Sequence, residues 1–416
     1  MGAVSVAVMG QGYVGLPLAV AAVEAGHRVV GFEPNPERCE RLGRGDSYVE
    51  DVSCKALGAA LDTGRYRPTG EEGMLAGFDV AVITVPTPLR DRQPELGAVR
   101  AASESVARYM RPGCTVILES TSHPGTTRDI VLPILEAGSR FRAGVDFHLG
   151  FSPERIDPGN EQWTFANTPK VVSGLTKECC ARVKEFYAGV TKNVVVAGSL
   201  EEAELAKVFE NTFRHVNVAL VNELCRVAHT LGVDVWRTLD LAASKPFGFM
   251  KFVPGPGVGG HCLPVDTVYL SHHVRTQYGE PFRLVELAQE INEAQPAYVV
   301  GRLQDGLNSR FGRALKGARI LVLGLTYKAG VADARQSPAV EVAAELERRG
   351  AQVDAVDPHM ADGVDRKRVP LPYRSYDAVV LLTAHPEFPL ARIAEEAGYV
   401  LDTRGVMPDI PQVERL

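Results

Sequence analysis

The chain has 416 residues, 45% of them hydrophobic and 23% charged, with a formal charge of −6. That length can bury more than one core, so two or three domains are expected, and the acidic balance argues against a nucleic-acid surface. No apolar run approaches the roughly 20 residues a spanning helix needs, and the first ten residues read as a strand running into a loop, so no membrane association and a cytoplasmic location are expected. Seven cysteines, at 39, 54, 114, 179, 180, 225 and 262, show no CxxC spacing. This odd set speaks against a disulfide framework. His261-Cys262 and His272-His273 lack the spacing or the carboxylates of a metal site, and no metal is expected.

Taken in order, residues 3–9 alternate small and β-branched apolar residues and lead into Gly10-Gln-Gly12-Tyr13-Val14-Gly15, a helical stretch over 16–25, and a second apolar run, 28–32, that ends on Glu33. A dinucleotide-binding βαβ unit requires this order: one glycine for the turn, one for approach to the pyrophosphate, one for helix packing, and an acid for the ribose. A carboxylate at 33 repels a 2′-phosphate, so NAD is favoured over NADP. Arg38 leaves NADP slightly open and is equally suited to stacking on adenine.

Further strands are expected at 79–85, 115–119 and 147–151, each ending in polar turn residues. Ligands of an open α/β sheet sit at the carboxyl ends of its strands, so Thr87, Thr121 and Glu154 should ring the nicotinamide side. A long helix is expected from 201 to about 232. At about 100° per residue, Glu204, Asn211, Arg214 and Asn222 fall near Lys207, while Leu205, Phe209, Val216, Leu220 and Val227 fall on the far side. The apolar side suits a dimer spine.

The stretch 255–266, Gly-Pro-Gly-Val-Gly-Gly-His-Cys-Leu-Pro-Val-Asp, reads as a tight loop with Cys262 at the start of the next helix, where partial positive charge lowers a thiol pKa. A second α/β unit begins at 319–324. Its loop lacks the GxGxxG spacing but offers Lys328 and Arg335, donors suited to a nucleotide's phosphates and sugar. Strands at 352–357 and 376–382 complete a smaller sheet. The expected architecture is α/β: two Rossmann-like doubly wound domains joined by a long central helix, divided as 1–197, 198–300 and 301–416.

With these pieces the chain resembles the UDP-glucose/GDP-mannose dehydrogenase family, over residues 3 to about 405. The motifs are 10–15, Val85-Pro-Thr-Pro88, Glu119-Ser-Thr121 with Pro124-Gly-Thr126, Phe151-Ser-Pro-Glu-Arg-Ile-Asp-Pro-Gly-Asn160, Lys207 with Asn211, Gly259-Gly-His-Cys-Leu-Pro-Val-Asp266, and Lys328 with Asp333-Ala-Arg335. Val265, where glucose and GDP-mannose enzymes typically carry Lys, together with His261, Glu154–Asn160 and Lys245-Pro-Phe-Gly-Phe-Met250, is most similar to the UDP-N-acetylglucosamine 6-dehydrogenase branch. Glu33 stands where the family usually has Asp, Thr267 where this branch often has Pro, and Gln336 where Glu is common.

The resemblance implies a four-electron oxidation of a UDP-sugar's C6 alcohol with two NAD⁺, through a thiohemiacetal and a thioester on Cys262. It implies Lys207 and Asn211 at the oxyanion, Thr121 and Asp266 handling water, and Glu154 near the acyl carbon. Gly10, Gly12, Tyr13, Val14, Gly15, Glu33, Arg38, Thr87 and Thr121 would hold NAD. Arg155, Ile156, Arg214 and Phe252 would join Lys207 and Asn211 on the sugar side, with Gly257, Lys328 and Arg335 on the nucleotide. A homodimer is implied. UDP-N-acetylmannosamine or UDP-glucose as substrate, a two-electron β-hydroxyacid dehydrogenase, and a silent nucleotide-sugar binder are the alternatives.

Overall fold

The computed structural model describes every residue except 1, 91–92, 158–159, 161, 261 and 361–371, and describes Cys262 by its backbone alone. The chain forms two compact units, one of Met1–Glu210 with Val268–Gln277, the other of Asn211–Thr267 with Tyr278–Leu416.

In the first unit the elements run β1 (Ser5–Met9), α1 (Gly15–Glu24), β2 (Arg28–Phe32), α2 (Pro36–Gly43), α3 (Cys54–Asp62), β3 (Tyr66–Thr69) and β4 (Val80–Ile83). A short hairpin of β5 (Leu89–Arg90) and β6 (Gln93–Pro94) follows, then α4 (Gly97–Tyr109), β7 (Thr115–Leu118), α5 (Leu132–Ser139), β8 (His148–Phe151), β9 (Lys170–Gly174), α6 (Lys177–Val190) and β10 (Val194–Val196). One sheet takes the order β10-β9-β8-β7-β4-β1-β2-β3. From β8 to β3 it is parallel throughout, which gives the 3-2-1-4-5-6 arrangement with its switch point between β1 and β4. Both faces are covered, so β4 and β7 are buried at every residue. The pleat divides β1 between two cores. Val6 and Val8 face one built with α1 and α6, while Ala7 and Met9 face another built with α4 and α5.

β9 departs from the parallel pattern. It pairs antiparallel with β8 in the register Gly150↔Gly174 and Phe151↔Ser173, and β10 is parallel to β9. The sequence reading does not anticipate these two strands. Five and three residues behind a long irregular segment carry almost no periodic signal.

The helix α7 (Leu200–Thr230) belongs by its first turns to the first unit and by the rest to the second. The second unit continues with α8 (Val235–Ala243), α9 (Cys262–Tyr278), α10 (Arg283–Glu293), α11 (Gln295–Phe311), β11 (Arg319–Leu323), α12 (Pro338–Arg348), β12 (Gln352–Val356), β13 (Ala378–Leu381), α13 (Leu390–Glu396), β14 (Val400–Asp402) and β15 (Val413–Arg415). Residues 268–277 of α9 fall in the first unit. The five-stranded sheet, β12-β11-β13-β14-β15, is wholly parallel. Its 2-1-3-4-5 order is the other common doubly wound arrangement, with a switch point between β11 and β13.

A buried knot closes that second switch point. Asp357 Oδ2, just after β12, accepts the amides of Leu325 and Thr326 at 2.7 and 2.9 Å and faces His385 Nε2 at 3.1 Å, while Oδ1 accepts the His359 amide at 2.9 Å. His385 Nδ1 accepts the Gly330 amide at 3.2 Å, which leaves the proton on Nε2. Burial works to raise the Asp357 pKa, but His385 and these amides hold the carboxyl well below its usual range. Asp357→Asn keeps one acceptor oxygen but turns a donor toward at least the His359 amide, and should cost about 3 kcal/mol in urea unfolding. Because the folded-state pKa is depressed, this stability is present above the ordinary carboxylate range and is lost as pH falls through the depressed value. The variant should therefore lose less stability than the native chain on acidification.

Candidate active site

In the first unit the turn after β1 is built by close approach. Gly10 has φ +92°, and a Cβ on Gly15 would stand 1.9 Å from the Gly10 carbonyl oxygen and 2.5 Å from Thr84 Oγ1. That hydroxyl bonds the Met9 and Gly10 carbonyls at 2.9 Å each, tying the ends of β1 and β4 together. A Cβ on Gly12 would meet nothing within 4 Å. Val14, the residue before α1, gives no side-chain cap, and although the Leu16 amide bonds the Gly12 carbonyl at 3.1 Å and Pro17 has no N–H, the positive end of the helix dipole at Gly15 faces an anion without a competing side chain. Glu33, buried at the end of β2, accepts the Gln11 amide at 3.3 Å and the Asn35 amide at 3.1 Å. These residues fit a dinucleotide: open space at Gly12 and an uncapped helix for the pyrophosphate, and a fixed carboxylate for ribose hydroxyls.

Two neighbours of this turn escape the sequence reading. Tyr48 donates to the Gln11 carbonyl at 2.8 Å, and Tyr66 donates to Gln11 Oε1 at 2.8 Å. The Arg38 guanidinium lies 5.3 Å from the centre of the Tyr48 ring. Tyr13 packs partly buried against the α1 core, and Thr87 is buried in the loop after β4, beside Pro88, whose carbonyl accepts the Tyr269 hydroxyl at 3.0 Å.

The loop after β7 carries Thr121, which is half-buried. Glu204 of α7 secures it. Its carboxylate accepts the amides of Gly125 and Thr127 at 2.6 and 2.9 Å and the Thr127 hydroxyl at 2.6 Å. Burial pushes the Glu204 carboxyl up to about 7 even though these donors oppose the rise. The stripe around Lys207 on α7 thus mixes two functions, since Glu204 fastens a loop while Lys207 is buried one turn on.

Glu154 lies in the loop after β8, with Oε1 accepting the amides of Arg155, at 2.5 Å, and Ile156. Arg155 and Ile156 therefore meet Glu154 through their backbones. The Arg155 guanidinium pairs with Glu210 at 2.6 Å and donates to the Pro169 carbonyl at 2.7 Å. Behind Glu154 stands a group absent from the sequence reading. Lys170 is ion-paired with Glu119 and lies 3.6 Å from Glu154 Oε2, and the Tyr187 hydroxyl donates to Glu119 Oε2 at 2.5 Å.

In the second unit Asn211 Nδ2 donates to Asp266 Oδ2 at 2.6 Å, both side chains buried. Cys262 is the first residue of α9, and Asp266 stands one turn on. The approach to Cys262 is shaped by contact. Gly257 has φ +135°, and a Cβ there would stand 2.9 Å from Pro338 Cβ; one on Gly259 would stand 2.8 Å from Tyr327 Cβ and 2.9 Å from the Gln336 carbonyl. The Gly260 amide donates to the Arg335 carbonyl at 3.2 Å, and the Gly255 amide to Asn222 Oδ1 at 3.0 Å. The loops bearing Cys262 and Lys328 thus pack on each other, with Lys328 half-buried.

Other expected residues sit otherwise engaged or exposed. The Arg335 guanidinium grips Asp333, with Nη2–Oδ2 at 2.7 Å. Arg214 is exposed, and Phe252 packs edge-to-face on Phe213 with ring centres 5.8 Å apart. His261 lies outside the described residues. Arg404 was not foreseen. Its Nε donates to the Leu382 carbonyl at 2.6 Å, a Cβ on Gly255 would lie 3.0 Å from its Nη1, and burial lowers its pKa to about 10. His359, His385 and Glu387 bring metal-type ligand atoms within 4.8 Å of one another. Both His385 nitrogens already serve the Asp357 knot.

Among the described residues no helix is long and apolar enough to cross a membrane. Three domains of one family match in order: the NAD binding domain of the UDP-glucose/GDP-mannose dehydrogenase family at residues 4–191, its central domain at 201–294 and its UDP binding domain at 321–409. The chain is 37% identical to the UDP-N-acetyl-D-glucosamine 6-dehydrogenase of Pseudomonas aeruginosa over 394 residues, covering 92% of this chain and 91% of that one. It is 34% identical to the UDP-N-acetyl-D-mannosamine dehydrogenase of Pyrococcus horikoshii, covering 92% and 90%. The solved structure of the UDP-D-ManNAc dehydrogenase of Pyrococcus horikoshii superposes with a TM-score of 0.91 at 31% identity, over 99% of this chain and 98% of that one. A 3-hydroxyisobutyrate dehydrogenase of Mycobacterium tuberculosis shares the fold alone, at 18% identity over 71% of this chain, with a TM-score of 0.52. The chain belongs to the UDP-glucose/GDP-mannose dehydrogenase family, whose NAD binding, central and UDP binding domains it carries in order.

Proposed function

We propose that this enzyme oxidises the C6 alcohol of UDP-N-acetylglucosamine to the carboxylate in two NAD-dependent stages through a covalent adduct on Cys262. The placement of Cys262 at the first residue of a helix, at the end of a glycine loop packed against the Lys328 segment, carries the reading. When bound, NAD⁺ would supply the hydride acceptor for each stage. Gly12, the open start of α1 and Glu33 hold it, with Tyr13, Val14, Arg38 and Thr87 around them. Glu154 takes the hydroxyl proton in the first stage.

Cys262 adds to the aldehyde as thiolate. Lys207 and Asn211, one turn apart on α7, donate to the oxyanion of the thiohemiacetal; one such donor is worth on the order of 3 kcal/mol to the transition state. The second oxidation leaves a thioester, which water cleaves to carboxylate and thiol. Thr121 and Asp266 orient that water. On the nucleotide side Lys328, the Gly257 backbone, Arg335 once turned from Asp333, and the half-buried Arg404 supply donors. Arg155, Ile156, Arg214 and Phe252 complete the sugar side.

The two most specific names among the relatives support an N-acetylhexosamine over glucose, and the higher identity favours the gluco epimer. A homodimer is part of the proposal, supported by Leu205, Phe209, Leu220 and Val227, which α7 leaves 44–60% exposed along its apolar side. So is a division into domains at 197 and 300.

The test is NADH formed per mole of sugar consumed, measured in parallel for UDP-N-acetylglucosamine, UDP-N-acetylmannosamine and UDP-glucose. About two NADH per sugar are expected, fastest with the first. A C2 epimer differs by only about 1–3 kcal/mol, so its rate should be roughly 10–200-fold lower. One NADH per sugar would return the two-electron dehydrogenase to first place.

A further inference from the structure

Burying a lysine beside two carboxylates is costly unless each charge is used. Lys170 is 4% exposed, Glu119 is fully buried, and Glu154 Oε2 is buried without a hydrogen-bond donor. The antiparallel turn of β9 brings them together. Extending the register Phe151↔Ser173 by three positions sets Glu154 opposite Lys170, so the first residue of β9 arrives at the edge where β7 and β8 deliver their last residues. A parallel β9 would put Lys170 at the opposite edge.

The ammonium is then fixed from all sides. Glu119 pairs with it, the Phe165 and Tyr187 rings lie 5.5 and 5.2 Å from it, and the Tyr187 hydroxyl fills the second oxygen of Glu119. Glu154 keeps one oxygen on two backbone amides and turns the other toward Lys170 at 3.6 Å. That oxygen is closed to solvent, so Lys170 is the cation that fixes the charge and direction of the carboxylate.

We propose that Lys170, held by Glu119 and Tyr187, is a positioning residue that keeps Glu154 ionised and aimed, so that of the two buried carboxyls it is Glu119 that holds a proton. The inference rests on the role given to Glu154 above. Environments that push two carboxyls apart assign them different protonation states. Burial pushes Glu119 up to about 7. Burial acts on Glu154 in the same sense, yet Lys170, the facing Glu119 carboxyl, the Ile156 amide and the charge of Lys207 bring it below its ordinary value. Lys170 itself is raised, because its two carboxylates outweigh its burial. In the first oxidation the O–H bond of the substrate breaks as the C–H hydride leaves for NAD⁺, and Glu154 receives the proton. Its carboxylate is ready only while Lys170 pays for the negative charge.

The experiment compares Lys170→Met, Lys170→Arg, Glu119→Gln and the double variant Lys170→Met/Glu119→Gln in the full-length protein. Lys170→Met should lower kcat at pH 7 by about a hundredfold, the size of a lost general base, with KM little changed. Its acid limb should move to higher pH, because a carboxylate without its cation protonates more readily. Lys170→Arg should stay within about tenfold of the native rate. The double variant, in which the single negative charge of the pair can rest only on Glu154, should recover about tenfold over Lys170→Met, a coupling that cavity or packing loss does not produce. Infrared spectra of the protein with isotope-labelled glutamate carboxyls should show one protonated buried acid titrating near neutral pH, absent from Glu119→Gln. An unmoved acid limb, a double variant no faster than the single one, or a band that survives Glu119→Gln would overturn the proposal. If the native enzyme oxidised none of the three sugars, the proposed function would fall, while the infrared titration would still decide the protonation of Glu119. Should Lys170→Met fail to fold, the Lys170→Arg profile and the Glu119→Gln band carry the test.

Discussion

Cys262→Ala should reduce steady-state NADH formation by about 10⁴-fold, the scale of loss when an enzyme is deprived of its nucleophile. The first stage needs no thiol. It requires only a bound hydride acceptor and a base, so the variant should still form up to one NADH per site and retain an aldehyde that a hydrazine reagent traps once the protein is denatured. The native enzyme should yield about two NADH per sugar and no trappable aldehyde, because the thiolate captures the carbonyl before it departs. The helix position supports this. Partial positive charge at the start of α9 favours the thiolate, and alanine there keeps the backbone while removing the reacting atom. A variant that retained more than a tenth of the native rate would exclude a covalent route.

Gly15→Ala and Gly12→Ala should fail in different ways. At Gly15 the new methyl would stand 1.9 Å from a backbone carbonyl and 2.5 Å from the Thr84 hydroxyl that ties β1 to β4. Backbone must move, so the loss should reach about 4–5 kcal/mol of unfolding free energy, in the range reserved for severe steric conflict in a core. At Gly12 the methyl meets no protein atom within 4 Å. The fold should keep its stability within about 0.5 kcal/mol, while NAD affinity drops through loss of the space meant for the pyrophosphate. Thermal unfolding with and without NAD separates the two. A Gly12→Ala protein stabilised by NAD as strongly as the native one would remove that glycine from the cofactor site.

Strands β1, β2, β4, β7, β8, β11, β12 and β13 were legible in the sequence because they are short apolar runs with polar stops, whereas β3, β9, β10, β14 and β15 were not, and the cofactor turn was legible because its glycines have individual steric reasons. The long helix was legible to within two residues at each end, since a 31-residue amphipathic pattern leaves little ambiguity. What could not be read was partnership. Glu119, Lys170 and Tyr187 come from three separate elements and meet only because β9 is antiparallel, which no local pattern encodes. Arg335 carries the chemistry of a phosphate ligand, yet its conformation here depends on Asp333, two residues earlier. Arg38 suited an adenine and lies over Tyr48. Residue type announces what a side chain is able to hold, whereas its neighbour across the fold decides what it holds.

The glycine loop before Cys262 takes its shape from Tyr327, Gln336 and Pro338, residues that leave the ribosome only after α10 and α11. A nascent chain that already contains the nucleotide turn, the base and the thiol still lacks the surface against which that loop is moulded. The loop that carries the proposed nucleophile therefore takes its shape only once residues 327–338 have been made. A product that ended before Tyr327 would carry the proposed base and thiol but not Lys328 or Arg335, the proposed nucleotide donors, so it should oxidise no sugar and form no aldehyde.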